Sequence, residues 1–192
     1  GLNRSHFEKI MQRSLDKRLK TVGNFKLWSA QSTLYVTPET EDDDIDLALD
    51  IARKTFGIIL VSRAVEAPKD IDKIKEIAKD YLPQYLGPFK TFKCDARRCD
   101  KRFPLTSPQI SAEVGEAVLD AMPEMKVDLK NPDVIVMTEI RDEHAYIHAG
   151  AFKGAGGMPQ GSSGKGLLLL SGGIDSPVAG FMMAKRGLSL DA

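Results

Sequence analysis

Apolar side chains return near every third or fourth position between Asn3 and Lys20, at Phe7, Ile10, Met11, Leu15 and Leu19, and predict a helix there. Ser5 followed by Glu8 has the form of a capping box, with Asn3 as a rival cap. The period then changes. Residues 25–28 and 33–37 are short β-rich runs separated by Ser29, Ala30, Gln31 and Ser32, which predicts a hairpin. Residues 44–56 return to helical spacing, with acids in the first turn, Arg53 and Lys54 in the last, and Gly57 as the stop. Residues 58–65 are β-rich again and end before Pro68.

Helix, strand, strand, helix, strand is a β-α-β-β-α-β ferredoxin-like unit without its first strand. The chain opens on Gly1 rather than Met, so the expectation is that this strand was cut off. A second unit follows. Residues 70–86 read as a helix with Ile71, Ile74, Ile77, Ala78, Tyr81 and Leu82 on one face. Residues 89–97 read as a strand, and 108–122 as a helix that starts after Ser107 with Pro108 in its first position. Strands over 127–129, 134–140 and 145–152 complete the unit, the last two joined by a polar hairpin at 141–144. A Gly/Ser-rich stretch then reads as a linker. Beyond it come four leucines, a glycine turn and a helix over 177–186 that stops at Gly187. The expected domains are 1–68, 69–153, a linker at 154–166, and 167–192. The class is α+β, with the opening of an α/β domain at the end.

Charge changes this picture only when counted locally. The 27 bases and 27 acids cancel, which would argue against a nucleic-acid partner. Yet residues 1–38 hold seven bases against two acids, and 91–102 hold five against two. Residues 39–50 hold seven acids and no base, and 103–150 hold nine acids against three bases. A ligand feels the local field, so two basic stretches remain candidates for phosphate contact. Lys93, Arg97, Arg98, Lys101 and Arg102 are the densest cluster, and the flanking Phe92 and Phe103 read as core before they read as platforms for stacked bases. The acidic run 39–46 reads as a solvated loop and helix start. No apolar run approaches the roughly 18 residues of a membrane span, and the first ten residues lack the apolar core of a signal peptide. Two cysteines, Cys94 and Cys99, give no disulfide framework or metal set, so a reduced cytoplasmic setting is expected. His144 and His148 lack a convincing third ligand, and no metal site is expected from them.

The chemistry lies in LLLLSGGIDSPVAGFMMAKRG, which reads as strand, glycine turn and helix. Gly172 and Gly173 allow backbone to approach an anion closely, and the free N–H groups of a helix start favour phosphate. Ser176 is the expected helix cap, with Pro177 in the first helical position. Ser171 and Ser176 add hydroxyl donors. Asp175 is out of place beside phosphates unless it holds Mg²⁺ or handles the reacting group. A Walker A loop is excluded, because Pro159 stands where Gly164-Lys165 requires glycine and Gly166 replaces Ser/Thr. A dinucleotide fingerprint fails at the same Pro159.

SGGIDS resembles the PP-loop of ATP pyrophosphatases, which split ATP into AMP and pyrophosphate while adenylating an oxygen. Further stretches extend the likeness. LNRSHFEKI, RRCDKRFPLTSPQI, VDLKNPDVIVMTEIR and GGMPQGSSGKGLLLLSGGIDSPVAGFMMAKRG are similar, in order, to segments of the bacterial tRNA 4-thiouridine synthetases, the ThiI family of tRNA sulfurtransferases. The resemblance implies a ferredoxin-like domain, a THUMP domain and a PP-loop domain. It implies ATP with Mg²⁺, adenylation of uridine 8 of tRNA, and displacement of AMP by a persulfide sulfur to give 4-thiouridine. Ser171, Gly172, Gly173, Asp175 and Ser176 would meet the ATP phosphates. Leu169 and Leu170 would meet adenosine through backbone, and Asp175 would be the residue essential to adenylation. Arg4, Lys93, Arg97, Arg98, Lys101 and Arg102 would meet the acceptor stem and 3′ end of tRNA. A cysteine desulfurase would donate sulfur, and a thiamine sulfur carrier is a further implied partner. The family's catalytic cysteine lies beyond Ala192, so the chain is expected to be an N-terminal fragment that binds tRNA and is inactive alone. Two other readings stay open: a truncated THUMP module that only binds tRNA, and a different THUMP-containing PP-loop tRNA-modifying enzyme.

Overall fold

The structure, a computed structural model, describes residues 3–192. It divides into two compact units, Gly1–Val61 with Phe152–Ala192, and Ser62–Ala151.

The first unit opens with α1 (Arg4–Leu19), which buries Leu15 and Leu19. The expected Ser5–Glu8 capping box does not form. Asn3 stands at the cap position without a side-chain bond, and Glu8 instead accepts from Arg4 Nε at 2.7 Å. β1 (Phe25–Ala30) and β2 (Thr33–Pro38) pair antiparallel from Phe25↔Pro38 to Ala30↔Thr33. Their turn is two residues, not the expected four. Gln31 and Ser32 take φ of 48° and 70°, the left-handed conformation that a two-residue hairpin turn demands. Phe25, Leu27, Leu34 and Val36 pack with α1 and with α2 (Ile45–Arg53).

The acidic run before α2 has a structural duty that its composition hides. Asp43 accepts N–H bonds from Asn24 (2.7 Å), Glu39 (3.1 Å) and Thr40 (2.9 Å), and Asp44 caps α2 by accepting from Leu47 N at 2.9 Å. Those bonds, led by that of Asn24, hold the Asp43 carboxyl below the usual carboxylate range. A Cβ on Gly23 would lie 2.5 Å from Asp43 Oδ1, so glycine is required where the chain passes this carboxylate.

The strand expected over 58–65 is divided. β3 (Leu60–Val61) belongs to the first unit, and β4 (Val65–Ala67) begins the second. The helix expected over 70–86 also breaks, into α3 (Ile71–Tyr81) and α4 (Pro83–Leu86), because Pro83 lacks the N–H that would continue the ladder. Then come β5 (Thr91–Arg98), α5 (Ser107–Ala121), β6 (Lys126–Val127), β7 (Val134–Ile140) and β8 (Ala145–Ala149). The sheet order is β4-β8-β7-β5-β6, with β5 parallel to both β6 and β7. The cap of α5 is Thr106, one residue before the expected Ser107; its N–H donates to Gln109 Oε1 at 2.9 Å.

α3 and α5 pack on the sheet. Ile74, Leu82, Leu86, Phe92, Ile110, Val114, Val136, Ile140 and Ile147 are at most 1% exposed, and Phe103 is 4% exposed. Phe92 and Phe103 are therefore core, as expected. Lys75 bridges to Glu113 (2.6 Å) and Glu116 (2.9 Å), and Lys79 to Asp120 (2.8 Å), tying the two helices together.

The chain returns to the first unit through β9 (Phe152–Lys153), which pairs antiparallel with β3. The Gly/Ser-rich stretch that follows runs along the same unit. Gly57 N donates to Gly156 O, Gly154 N to Ile59 O, and Gly156 N to Ile58 O, each at 2.8 Å. β10 (Lys165–Leu167), α6 (Asp175–Lys185) and β11 (Ser189–Asp191) then form a βαβ unit, its strands parallel from Lys165↔Ser189 to Leu167↔Asp191.

Candidate phosphate loop and nucleic-acid surface

The glycine turn joins β10 to α6. Strand pairing ends at Leu167↔Asp191, so the expected four-leucine strand contributes one residue to the ladder. Leu169 and Leu170 lie beyond it and are 81% and 63% exposed. Leu168 N–H still donates to Asp191 O at 2.8 Å. α6 begins at Asp175, two residues before the expected start, so Ser176 lies inside the helix and is not its cap. Ile174 holds the cap position and offers no side-chain acceptor. The first N–H groups of α6 are thus without a side-chain cap, as an anion site needs.

Ser176 serves the loop in another way. Its Oγ accepts from Ser171 N–H at 3.2 Å and lies 3.4 Å from Ser171 Oγ, fastening the two ends of the turn. Gly173 N–H donates to Ser171 Oγ at 3.4 Å. A Cβ on Gly172 would meet nothing within 4 Å, and one on Gly173 only Ser171 Oγ at 3.7 Å. The space on the Cβ side of both glycines is therefore open. Asp175 stands in the first turn of α6, where the helix dipole favours a carboxylate. Gly180 leaves room for the Leu168 side chain, since a Cβ there would lie 2.7 Å from Leu168 Cδ2.

Among the described residues no cluster of three or more His, Cys, Asp or Glu could hold a metal ion. His148 Nδ1–H donates to Gly150 O at 3.0 Å, and burial keeps it below the ordinary histidine range. His144 pairs with Glu66 at 3.2 Å. Both cysteines are free. Burial pushes the Cys94 thiol up to about 12, so it is not a thiolate at neutral pH.

The basic cluster is not one uniform patch. On β5, Lys93, Asp95 and Arg97 alternate with Phe92, Cys94 and Ala96, which pack with the core. Lys93 pairs with Asp95 at 2.9 Å, and Arg97 stands in register with Glu139 on β7. Arg98 is turned to structure, donating to Phe103 O (3.1 Å) and Leu105 O (3.0 Å). Asp100, buried, accepts from Arg102 Nε at 3.0 Å and from Lys69, and these cations hold its carboxyl far below the usual range, Arg102 first. Arg97, Lys101 and Arg102 remain exposed. Arg4 lies in the other unit, on α1, paired with Glu8. Sequence reasoning missed Arg141, which is 6% exposed and paired with Glu139 two residues earlier; only the polar run around it was visible.

With this geometry in hand, known proteins can be compared. A THUMP domain model matches residues 68–149, a ThiI ferredoxin-like domain model residues 1–62, and a thiamine biosynthesis protein (ThiI) model residues 161–192. The chain is 41% identical over 194 residues to a protein of Acetivibrio thermocellus named "Probable tRNA sulfurtransferase", covering 100% of this chain and 49% of that one. It is 42% identical over 192 residues to the protein of that name in Caldanaerobacter subterraneus, again covering 49% of it. The chain thus spans about half the length of the curated relatives it matches. Among solved structures, a 4-thiouridine synthetase–RNA complex with bound ATP superposes with a TM-score of 0.87 at 32% identity, covering 100% of this chain and 48% of that one. PH1313 of Pyrococcus horikoshii gives 0.87 at 32% identity, covering 97% and 63%.

Proposed function

We propose that this chain, a member of the ThiI family with ferredoxin-like, THUMP and ThiI matches in that order, holds tRNA and the ATP phosphates for a tRNA sulfurtransferase that makes 4-thiouridine at position 8. The observation that carries the reading is a strand–SGGIDS–helix turn with uncapped N–H groups, on the same chain as a THUMP unit with exposed cations. In this reading ATP supplies the adenylyl group that makes the uridine oxygen a leaving group, the outer persulfide sulfur bonds to that carbon as AMP departs, and a second thiol breaks the S–S bond, becoming part of a disulfide and leaving the sulfur on uridine.

The chain's own residues divide the labour. Gly172 and Gly173 admit phosphate against the backbone, and the first turn of α6 supplies N–H donors. Ser171 and Ser176, already joined, hold the loop in shape and offer hydroxyls. Asp175 would be the carboxylate to hold a Mg²⁺ accompanying the phosphates, whose chemistry is to neutralise developing phosphate charge, and it is the residue we assign to adenylation. Leu169 and Leu170 leave the ladder and present backbone to adenosine. Arg97, Lys101 and Arg102, with Lys93, Arg98 and Arg4 in support, meet tRNA phosphates. A cysteine desulfurase supplies the persulfide in the cytoplasm, and the same sulfur route serves a thiamine sulfur carrier. No helix among the described residues is long and apolar enough to cross a membrane.

The test uses the full-length parent enzyme. Asp175→Asn is expected to lower 4-thiouridine formation in tRNA by roughly 10²-fold or more while leaving tRNA affinity unchanged. Undiminished thiolation in that variant would overturn the assignment of Asp175. Absence of 4-thiouridine formation by the wild-type parent, with tRNA binding intact, would favour a module that only binds.

A further inference from the structure

Residues 154–166 have the composition of a linker, yet their first part is bonded on two sides. On one side lie residues 57–59, just past α2. Gly57 N–H donates to Gly156 O there, while the N–H groups of Gly154 and Gly156 donate to Ile59 O and Ile58 O. On the other side lies the end of α6, where Met158 N–H donates to Lys185 O at 2.9 Å. That carbonyl belongs to the last turn of the helix, which has no following turn to supply a partner.

Both approaches are backbone against backbone. A Cβ on Gly154 would fall inside contact distance of Ile58 O, and one on Gly157 inside that of Lys185 O. Gly157 also holds a φ of 75°, in the left-handed region. A backbone carbonyl cannot turn aside as a side-chain end can, so a side chain at Gly157 must push the segment and the helix apart. The C-terminal end of α2 is itself anchored. Arg18 donates to Lys54 O (2.9 Å) and Thr55 Oγ1 (2.7 Å), and Thr55 is buried. One side-chain contact runs beside the bracket: Phe56 meets Phe181 of α6 edge-on, with ring centroids 5.3 Å apart at 61°. α6 has 11 residues and is roughly 16 Å long, so a displacement of its last turn is carried to Asp175 in its first.

We propose that Gly157 and Phe56 are positioning residues for adenylation. The bracket at 154–158 and the ring pair fix the end of α6 against the end of α2, and so set where Asp175 and the SGGIDS turn stand relative to the ferredoxin-like residues. This rests on the adenylation reading above and adds to it two residues with no part in holding ATP or RNA.

The test uses the full-length parent enzyme, with rates expressed per ATP-binding site. Gly157→Ala should lower kcat for 4-thiouridine formation by roughly tenfold or more, while KM for ATP and for tRNA stays within about twofold of wild type. Gly161→Ala is the matched control. Gly161 is also left-handed, with a φ of 87°, and a Cβ there meets nothing within 4 Å. That variant carries a similar backbone penalty without pushing on α6, so its kcat should hold. Should Gly157→Ala fail to fold, Phe56→Leu decides, because leucine keeps apolar bulk and loses the ring edge. Its kcat should fall roughly threefold with both KM values unchanged. If Gly157→Ala and Gly161→Ala lower the melting temperature alike and leave kcat alike, the bracket is only structural and the proposal is overturned. A raised KM for ATP at constant kcat also overturns it, since the bracket would then shape the phosphate pocket rather than aim it. A wild-type parent that binds tRNA and forms no 4-thiouridine removes the adenylation reading, and the positioning role with it.

Discussion

Two parallel strand pairs in this chain have opposite fortunes. In the second unit β5 and β7 run parallel beneath α3 and α5, and Val136 and Ile140 are fully buried. In the βαβ unit β10 and β11 also run parallel, yet Leu167, Leu169 and Leu170 are 74%, 81% and 63% exposed. α6 adds Ile174 at 82% and Phe181 at 56%. Parallel strands are normally covered on both faces. The leucines have the apolar character of a covered strand, and among the described residues they are left exposed. Apolar sequence thus specifies a buried strand only where other elements arrive to bury it.

The sharpest way to break this contrast is to truncate one side chain on each side of it. Phe92→Ala should destabilise the second unit by about 3–5 kcal/mol, whereas Leu170→Ala should change stability by less than about 0.5 kcal/mol, both read by urea unfolding. Equal effects would mean that the leucine strip is packed. Next, Gly180→Ala asks whether the βαβ unit is tightly built despite its exposure. The contact is with the flexible end of the half-buried Leu168 side chain, so if that end can turn aside, the helix gain of alanine should offset the clash to within about 1 kcal/mol; faster amide exchange in α6 would instead show a tightly built unit. Among the small effects, Ser32→Gly should stabilise the β1–β2 hairpin by roughly 1 kcal/mol, because the left-handed turn then carries no Cβ penalty there.

Acid sharpens the comparison in another way. The Asp100 carboxyl is held low by Arg102 and Lys69, so the stability it contributes is fully present above its unfolded value of about 4. That contribution is lost as pH falls below about 4 toward the folded value. Asp100→Asn should lower the melting temperature at pH 7 and flatten the acid limb below pH 4; an unchanged limb would show that the Lys69–Asp100–Arg102 cluster contributes nothing. His148, held low by burial, favours folding above about 6.5 and opposes it as pH falls through that value. His148→Gln should remove a smaller loss of stability between pH 6.5 and 5, measured by the same melts.

Much of the fold was legible because it rests on period and punctuation. The helical spacing of Phe7 to Leu19, the β-rich runs around Gln31 and Ser32, and Pro108 before an apolar helix each have a local cause. The strand over 58–65 was not legible, since its division depends on partners far along the chain, β9 for one piece and β8 for the other. The same holds for Leu167 to Leu170, where the reach of β11 sets the length of the strand. At the candidate site, the glycine turn and its helix were readable from SGGIDS, but the start of α6 was not, because Ser176 bonds back to Ser171 rather than capping. Charge clustering located Arg97 and Arg102 without showing that Arg98 faces inward to Phe103 O and Leu105 O. Composition marked 39–46 as solvated, and could not show Asp43 gathering three backbone N–H groups.

The closure of β10, α6 and β11 within 27 consecutive residues has a kinetic consequence. Contacts so near in sequence close little loop entropy, so this unit can form early and quickly, ahead of pairings such as β3 with β9 that span some ninety residues.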